Sequence, residues 1–291
     1  MAGLITLLRS TYLCAALIAC NVASAVPLWE IEGTNNRIRL LGSVHFLRAE
    51  DYPLPPAIAD AYREADIIIM ELALDKITAT DMLRVQQQLA IDPEGRSLSE
   101  LVSAGTYRKV RSLAADIDID LNLLQPFEPW FAALQITQLR LLQLGFDGSY
   151  GIDAMLTHQA STDGKPLLGL ETLDEQLQAL DTLPAAAQQK FLLQTLEDAG
   201  SISDDLELIM TAWRQGDIAT LNKLLLEGLD EQPEVYEQIL IQRNRRWTQA
   251  IIDMTKDSED YLIIVGALHL IGEDSVQSML DDAGIRTRRI K

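Results

Sequence analysis

Past residue 25 the sequence contains no cysteine, because Cys14 and Cys20 are its only two. If the first 25 residues are removed as a leader, neither disulfides nor thiol chemistry contribute, and the fold must rest on its core. Basic residues are also scarce, with 24 Lys and Arg against 43 Asp and Glu and a formal net charge of −19. Such a surface repels phosphate backbones and anionic headgroups, which argues against nucleic acid as a partner. No apolar run beyond residue 25 approaches the roughly 20 residues of a spanning helix, so no transmembrane segment is expected there. Gly-x-Ser-x-Gly, Walker and His-Glu-x-x-His motifs are all missing. Their absence removes the usual support for a serine hydrolase, a P-loop enzyme or a zincin. Histidine occurs only three times.

What is present begins with an address. Met1–Ser10 carries one positive charge, Arg9, and no acid; Leu13–Ala19 is apolar; and Ala23-Ser24-Ala25 has the A-x-A form of a cleavage site. These features predict a secretory signal peptide over residues 1–25, and hence a periplasmic or secreted protein. Leu17-Ile18-Ala19-Cys20 also matches a lipoprotein box, in which Cys20 would carry a lipid anchor. Removing Arg9 takes the net charge from −19 to −20 and leaves residues 26–291, enough for one large domain.

The mature chain alternates short apolar strands with helical stretches. Trp29 and Ile31, then Ile38 and Leu40, alternate with charged residues around Gly33-Thr34-Asn35-Asn36, the pattern of a β-hairpin. Ile67–Met70 and Tyr261–Val265 are uninterrupted apolar runs, as expected of strands buried on both faces, and Lys165–Leu170 is another short apolar strand. Helical periodicity fills most of Thr80–Leu144, Ile152–Ala160 and Asp174–Thr255, and Ile285–Ile290 could supply an edge strand. The expected fold class is α/β, with a central, mainly parallel sheet and large helical insertions. Ile38–Leu47 and Leu262–Ile271 share the form apolar strand, Gly, two residues, His, apolar. This echo suggests two related strand–Gly-x-x-His half-units.

His45 and His269 close those two steps. Glycine permits a sharp turn where a strand ends, and the histidine is then presented at the carboxyl edge of the sheet, where open α/β folds bind ligands. Glu71 and Glu171 follow their strands in the same way. If the strands are neighbours, two imidazoles and two carboxylates converge. Buried carboxylates of like charge need a cation or a proton between them. The set therefore predicts a divalent metal site with open positions, in which a spare glutamate could serve as base. The plainer readings stay open at this point: either histidine could be satisfied by a backbone carbonyl, and Glu171 could simply precede the Thr172–Glu175 capping box. Arg243-Asn244-Arg245-Arg246-Trp247 is a basic island that suits an oxyanion or a solvated helix face equally. Asp153 could cap a helix or face the site, Trp213–Asp217 reads as one helix ending and another being capped, and His158 reads as a surface residue.

Together, LLGSVHFL (40–47), IIIMEL (67–72), the stretch from Tyr150 to Leu180, WRQGD (213–217), RNRRW (243–247) and IIVGALHLIG (263–272) resemble the TraB/GumN family. That family is related to the Tiki proteases within the erythromycin esterase-like and ChaN-like superfamily. Ser43 stands where threonine is commoner in the family, and this keeps the hydroxyl. The resemblance implies an α/β domain over 26–291 with His45, Glu71 and His269 at a metal-dependent hydrolytic site, and with Glu171, Arg243 and Asn244 at further motif positions. Glu71, Arg243 and Asn244 would act in catalysis, and His45, Glu71, Glu171 and His269 would ligate the metal. It further implies a peptide or protein substrate and an ion of the manganese, cobalt or zinc type.

Overall fold

The computed structural model describes residues 26–226 and 229–290. The expected leader lies outside the described residues, and so do cleavage after Ala25 and any lipid on Cys20. Leu28–Ile31 (β1) and Ile38–Ser43 (β2) form the expected antiparallel hairpin, with Leu28 opposite Leu41 and Glu30 opposite Arg39. The chain passes through Pro56–Glu64 (α1) to Ile67–Met70 (β3). It then forms a helical insertion, Ala79–Leu89 (α2), Leu98–Leu101 (α3), Ala104–Asp116 (α4), Pro129–Gln143 (α5) and Ile152–Asp163 (α6), before Leu167–Gly169 (β4). A second helical stretch follows: Leu173–Asp181 (α7), Ala185–Gln215 (α8), Ile218–Leu226 (α9), Pro233–Tyr236 (α10) and Gln242–Met254 (α11). Tyr261–Gly266 (β5), Val276–Asp282 (α12) and Thr287–Arg289 (β6) complete the order.

The strands lie side by side as β4-β3-β5-β2-β1-β6. β4, β3, β5 and β2 pair in parallel, and β1 alone runs against its neighbours. The chain is thus α/β with a mostly parallel sheet and large helical insertions. The apolar runs explain why. Every residue of β5 is buried, and its side chains alternate between two cores, as the twofold repeat of a strand requires. Leu262 and Ile264 join Leu41, Ile68 and Met70 on one face, under Ile58, Leu156 and Trp213 from α1, α6 and α8. Ile263 and Val265 join Leu40 and Ile69 on the other, under Trp247, Ile251 and Leu280 from α11 and α12. Each such side chain contributes about 1.5–3 kcal/mol over its exposed state, which is what holds β5 at the centre.

The helical insertions bury a separate interior away from the sheet, with Val110, Leu124, Ile136 and Leu192 drawn from α4, α5, α8 and the turn between α4 and α5. No helix among the described residues is long and apolar enough to cross a membrane. The internal echo is spatial as well as sequential. β2 and β5 are adjacent, with Gly42 opposite Val265 and Ser43 opposite Gly266, so the two Gly-x-x-His steps stand next to each other, one residue out of register.

Candidate functional site

Four polar residues leave the carboxyl ends of the parallel strands. Glu71 directly follows β3, Glu171 comes two residues after β4, His45 two after β2 and His269 three after β5. The ladder between β3 and β4 continues past the strands: Leu170 N–H donates to the Met70 carbonyl at 2.8 Å and Glu171 N–H to the Glu71 carbonyl at 3.0 Å. The two glutamates are thereby brought abreast.

Arg243, from the first turn of α11, lies between their carboxylates. Its Nε donates to Glu171 Oε1 and Oε2 at 3.0 and 3.2 Å, and its Nη2 to Glu71 Oε2 at 2.5 Å and Glu171 Oε1 at 2.7 Å. Its Nη1 donates to the Ile239 carbonyl at 3.1 Å and faces His269 Nε2 at 3.2 Å. The Ile239 carbonyl belongs to a π-helical turn, Glu237–Ile241, that leads into α11, a feature found frequently at functional sites. All five N–H groups of the guanidinium are therefore engaged. Burial alone would favour a neutral Arg243, but Glu71 and then Glu171 raise its pKa. Two carboxylates against one guanidinium leave one net negative charge in the pocket. Gln176 Nε2, from α7, donates to Glu71 Oε2 and Glu171 Oε1, each at 3.1 Å.

Glu71 Oε1 accepts the Gly266 N–H at 2.7 Å. Burial pushes the Glu71 pKa up, but Arg243, then His269 and His45, together with that N–H, hold it at about 2. His269 Nδ1 lies 2.6 Å from Asn244 Oδ1. The Asn244 amide is oriented by its own Nδ2, which donates to the Asp274 carbonyl at 2.7 Å. The proton therefore sits on His269 Nδ1, and Nε2 presents a lone pair 3.8 Å from Glu71 Oε1. The Trp247 ring packs 4.5 Å from the imidazole and 4.6 Å from Arg243 Cζ. Desolvation lowers the His269 pKa to about 3, the pull of Glu71 being outweighed with help from Arg243 and His45.

His45 is built differently. Its Nδ1 meets Asp153 Oδ2 at 2.8 Å, and Asp153 Oδ1 accepts the Ser43 hydroxyl at 3.2 Å. Half of the His45 side chain, 51%, meets solvent, although the cleft walls crowd the ring. Desolvation there pulls its pKa down, and Asp153, by charge and by hydrogen bond, with Glu71 behind it, outweighs this and raises it to about 9. Two glycines make the arrangement possible. A side chain at Gly151 would run into the His45 carbonyl oxygen, so only glycine lets α6 start against that loop and deliver Asp153 in its first turn. A Cβ at Gly266 would stand 3.2 Å from His45 Nε2 and 3.3 Å from Glu71 Oε1. Those two atoms thus aim at one small space above the glycine.

That space opens on two cavities. A larger one of about 530 Å³ runs between α5, α7, α8 and α9, and a smaller one of about 320 Å³ lies against Met70, Leu72 and Leu74.

The structure brings His45, Glu71, Glu171, Arg243 and His269 into one cluster, with Asn244 directly behind His269. Asp153 faces the site and does not cap its helix through its side chain. Glu171 retains its place before the capping box, which Thr172 and Glu175 form. Of the basic island, Arg243 turns inward, Arg245 is exposed, and Arg246 reaches Glu171 Oε2 at 3.5 Å. Trp213–Asp217 closes α8 at Gly216 and caps the next helix through Asp217, and His158 is exposed. Gln176 and Trp247 join the site although neither is among the residues the sequence assigns to it. Beyond their place in the family-like segments their signals are positional: Gln176 lies in the first turn of α7, five residues past Glu171, and Trp247 lies four residues after Arg243 on the same face of α11.

Among the described residues no three His, Cys, Asp or Glu side chains already stand at the spacing of a metal site. The chemistry of the donors nonetheless suits a divalent cation. Both imidazoles have Nδ1 tied to a second residue and Nε2 turned toward Glu71, which is how outer partners orient metal-ligating histidines. Glu171 is the exception in the expected donor set, since Arg243 engages both its oxygens.

The profile of the TraB/PrgY/gumN family matches residues 27–289. YbaP of Escherichia coli strain K12, described as an uncharacterized protein, is 26% identical over 246 residues, covering 84% of this chain and 88% of that protein. YbaP of Shigella flexneri, described in the same words, matches with the same identity and coverage. No solved structure matches the chain.

Proposed function

The chain belongs to the TraB/PrgY/gumN family, and we propose that its site is that of a metal-dependent hydrolase acting on peptide bonds. The observation that carries this reading is the convergence of His45 Nε2 and Glu71 Oε1 on one space above Gly266, with His269 Nε2 beside them. These three atoms would hold a manganese, cobalt or zinc ion, with Glu171 kept as the anchor of Arg243. Such an ion supplies Lewis acidity toward the substrate carbonyl and a water made nucleophilic near neutral pH. In the overall reaction water adds across the amide: the C–N bond breaks, the acyl carbon takes the hydroxyl and the nitrogen takes the proton.

The remaining residues position the ligands. Asp153 and Asn244 orient the two imidazoles, and Arg243 keeps Glu71 ionised and in place. Arg243 donates to both glutamates and so acts through Glu71, and its Nη1 N–H that faces His269 Nε2 would be released if that lone pair took the metal. The export signal with cleavage after Ala25, a lipid on Cys20 being the alternative, belongs to this proposal as its setting outside the cytoplasm.

A second reading is favoured by one contact, the 2.8 Å pairing of His45 with Asp153. An imidazole braced by a carboxylate, with Nε2 open to a cleft, also suits general acid–base hydrolysis of an ester without metal. Cleavage of a broad peptide library and of aryl esters, in manganese, cobalt or zinc and again in EDTA, separates the two. The expected outcome is peptide cleavage that EDTA abolishes, added metal restores and His45→Ala eliminates. Ester cleavage undiminished in EDTA would favour the second reading, and no cleavage of either substrate would reject both.

A further inference from the structure

We propose that the site accepts the interior of an extended peptide, with uncharged apolar side chains on both sides of the bond that lies over His45 and Glu71. This deepens the hydrolase reading above and rests on it for the nature of the bond. The two cavities share His45, Phe46, Glu71 and Gln176. The chemical groups therefore stand at a junction and not at the end of a blind pocket, so a bound chain extends away from them in two directions.

Both lobes are apolar. The smaller is walled by Met70, Leu72 and Leu74, and the larger by Leu180, Leu206, Ile209 and Leu225 among others. At about 320 and 530 Å³, each falls within the roughly 300–1,000 Å³ of small-ligand pockets and has room for large side chains.

The charged groups in the lining argue against a chain end. No lysine lines either lobe, and the titratable side chains that do, His45, Glu71, Asp153, Arg243 and His269, all belong to the cluster at the junction. A terminal carboxylate held in either lobe, beyond that cluster, would thus lie against apolar walls without a counter-charge. A terminal ammonium in either lobe, beyond the same cluster, likewise meets no carboxylate. Such a cleft selects an internal, apolar segment, and an enzyme built on it cuts within chains.

The test is binding without turnover. The probes are end-blocked, dye-labelled decapeptides of alanine with leucines placed on both sides of the central bond, on one side or on neither, and Kd is read by fluorescence anisotropy in EDTA. Stripping the leucines from either side is expected to weaken binding about tenfold, or about 1.4 kcal/mol, because each leucine buries apolar surface that alanine does not. Filling the small lobe with Leu74→Trp, or the large one with Leu206→Trp, removes the preference for leucine on one side only, and for opposite sides. A preference confined to one side in the wild type would overturn the inference. Tighter binding by tripeptides with a free amino or carboxyl end would also overturn it. The two-sided pattern without metal-dependent cleavage upholds the inference while the hydrolase reading falls. Cleavage with no two-sided pattern does the reverse.

Discussion

His45 and His269 end neighbouring parallel strands in the same four-residue step, yet they are held in opposite states. His45 has a side chain 51% exposed, is braced by the carboxylate of Asp153 and has its pKa raised to about 9. His269 has a side chain only 5% exposed, is braced by the amide of Asn244 and has its pKa lowered to about 3. The strand and the glycine present an imidazole at the sheet edge. Its charge is then decided by the partner behind Nδ1 and by how much water reaches the ring. The outer arm is open to substrate and solvent, whereas the inner arm is part of a buried ion network with Arg243, Glu71 and Glu171.

The comparison breaks most severely if the inner network is cut. Arg243→Met leaves two buried carboxylates abreast with only the half-exposed Arg246 near Glu171, and should cost about 3–5 kcal/mol in urea unfolding. Adding Glu171→Gln should recover part of that loss, and a double variant no more stable than Arg243→Met would contradict the network.

The next effect separates the arms directly. His269→Ala removes the ring packed on Trp247 and orphans the Asn244 carbonyl, for about 2–4 kcal/mol. His45→Ala removes a half-exposed ring and leaves the buried Asp153 carboxylate to the Ser43 hydroxyl, and should cost about 1–2 kcal/mol. Equal losses would mean that the arms are not differently buried.

In EDTA the two histidines should tilt stability in opposite directions with pH. For His45 the folded pKa of about 9 lies above an unfolded value near 6.5. Its contribution is full below pH 6.5 and is lost as pH rises toward 9. Solvent at the ring screens it, so the slope stays under the full value of roughly 1.4 kcal/mol per unit. For His269 the folded pKa of about 3 lies below the unfolded one. The unfolded chain binds a proton that the folded chain refuses, so stability is full above pH 6.5 and is lost as pH falls toward 3. Unfolding of wild type against His45→Gln across pH 6.5–9, and against His269→Gln across pH 3–6.5, should give differences of opposite slope. Flat differences would contradict the assignment.

The smallest change sharpens the same point. Asp153→Asn should lower the His45 pKa by about one unit or more, and Asn244→Asp should raise that of His269, as read from their imidazole NMR signals.

The parts of this arrangement carried by strands were legible from the residues alone. Ile67–Met70 and Tyr261–Val265 are apolar without interruption because helices cover both faces of the sheet. The polar residue that ends such a run must leave at the sheet edge, which located His45, Glu71, Glu171 and His269. The helical contributors were harder to read. Asp153 reaches the site because Gly151 lets α6 start against the His45 loop, and Gln176 because the Thr172 capping box starts α7 beside Glu171, but neither local feature says which strand end lies opposite. Arg243 suited an oxyanion as a free guanidinium. Its commitment to two glutamates depends on the π turn before α11 and on the abreast placement of Glu71 and Glu171, and both of these are tertiary facts.

The central claim is that these two arms, from opposite ends of the chain, build one metal site. Titration of manganese, cobalt or zinc into wild type, His45→Ala and His269→Ala by calorimetry, with circular dichroism to verify folding, tests it most directly. The account predicts one ion per wild-type chain and a loss of affinity in both variants beyond the roughly 10–100-fold that outer-partner changes cause. No binding by the wild type, or binding that survives removal of either histidine, would contradict it.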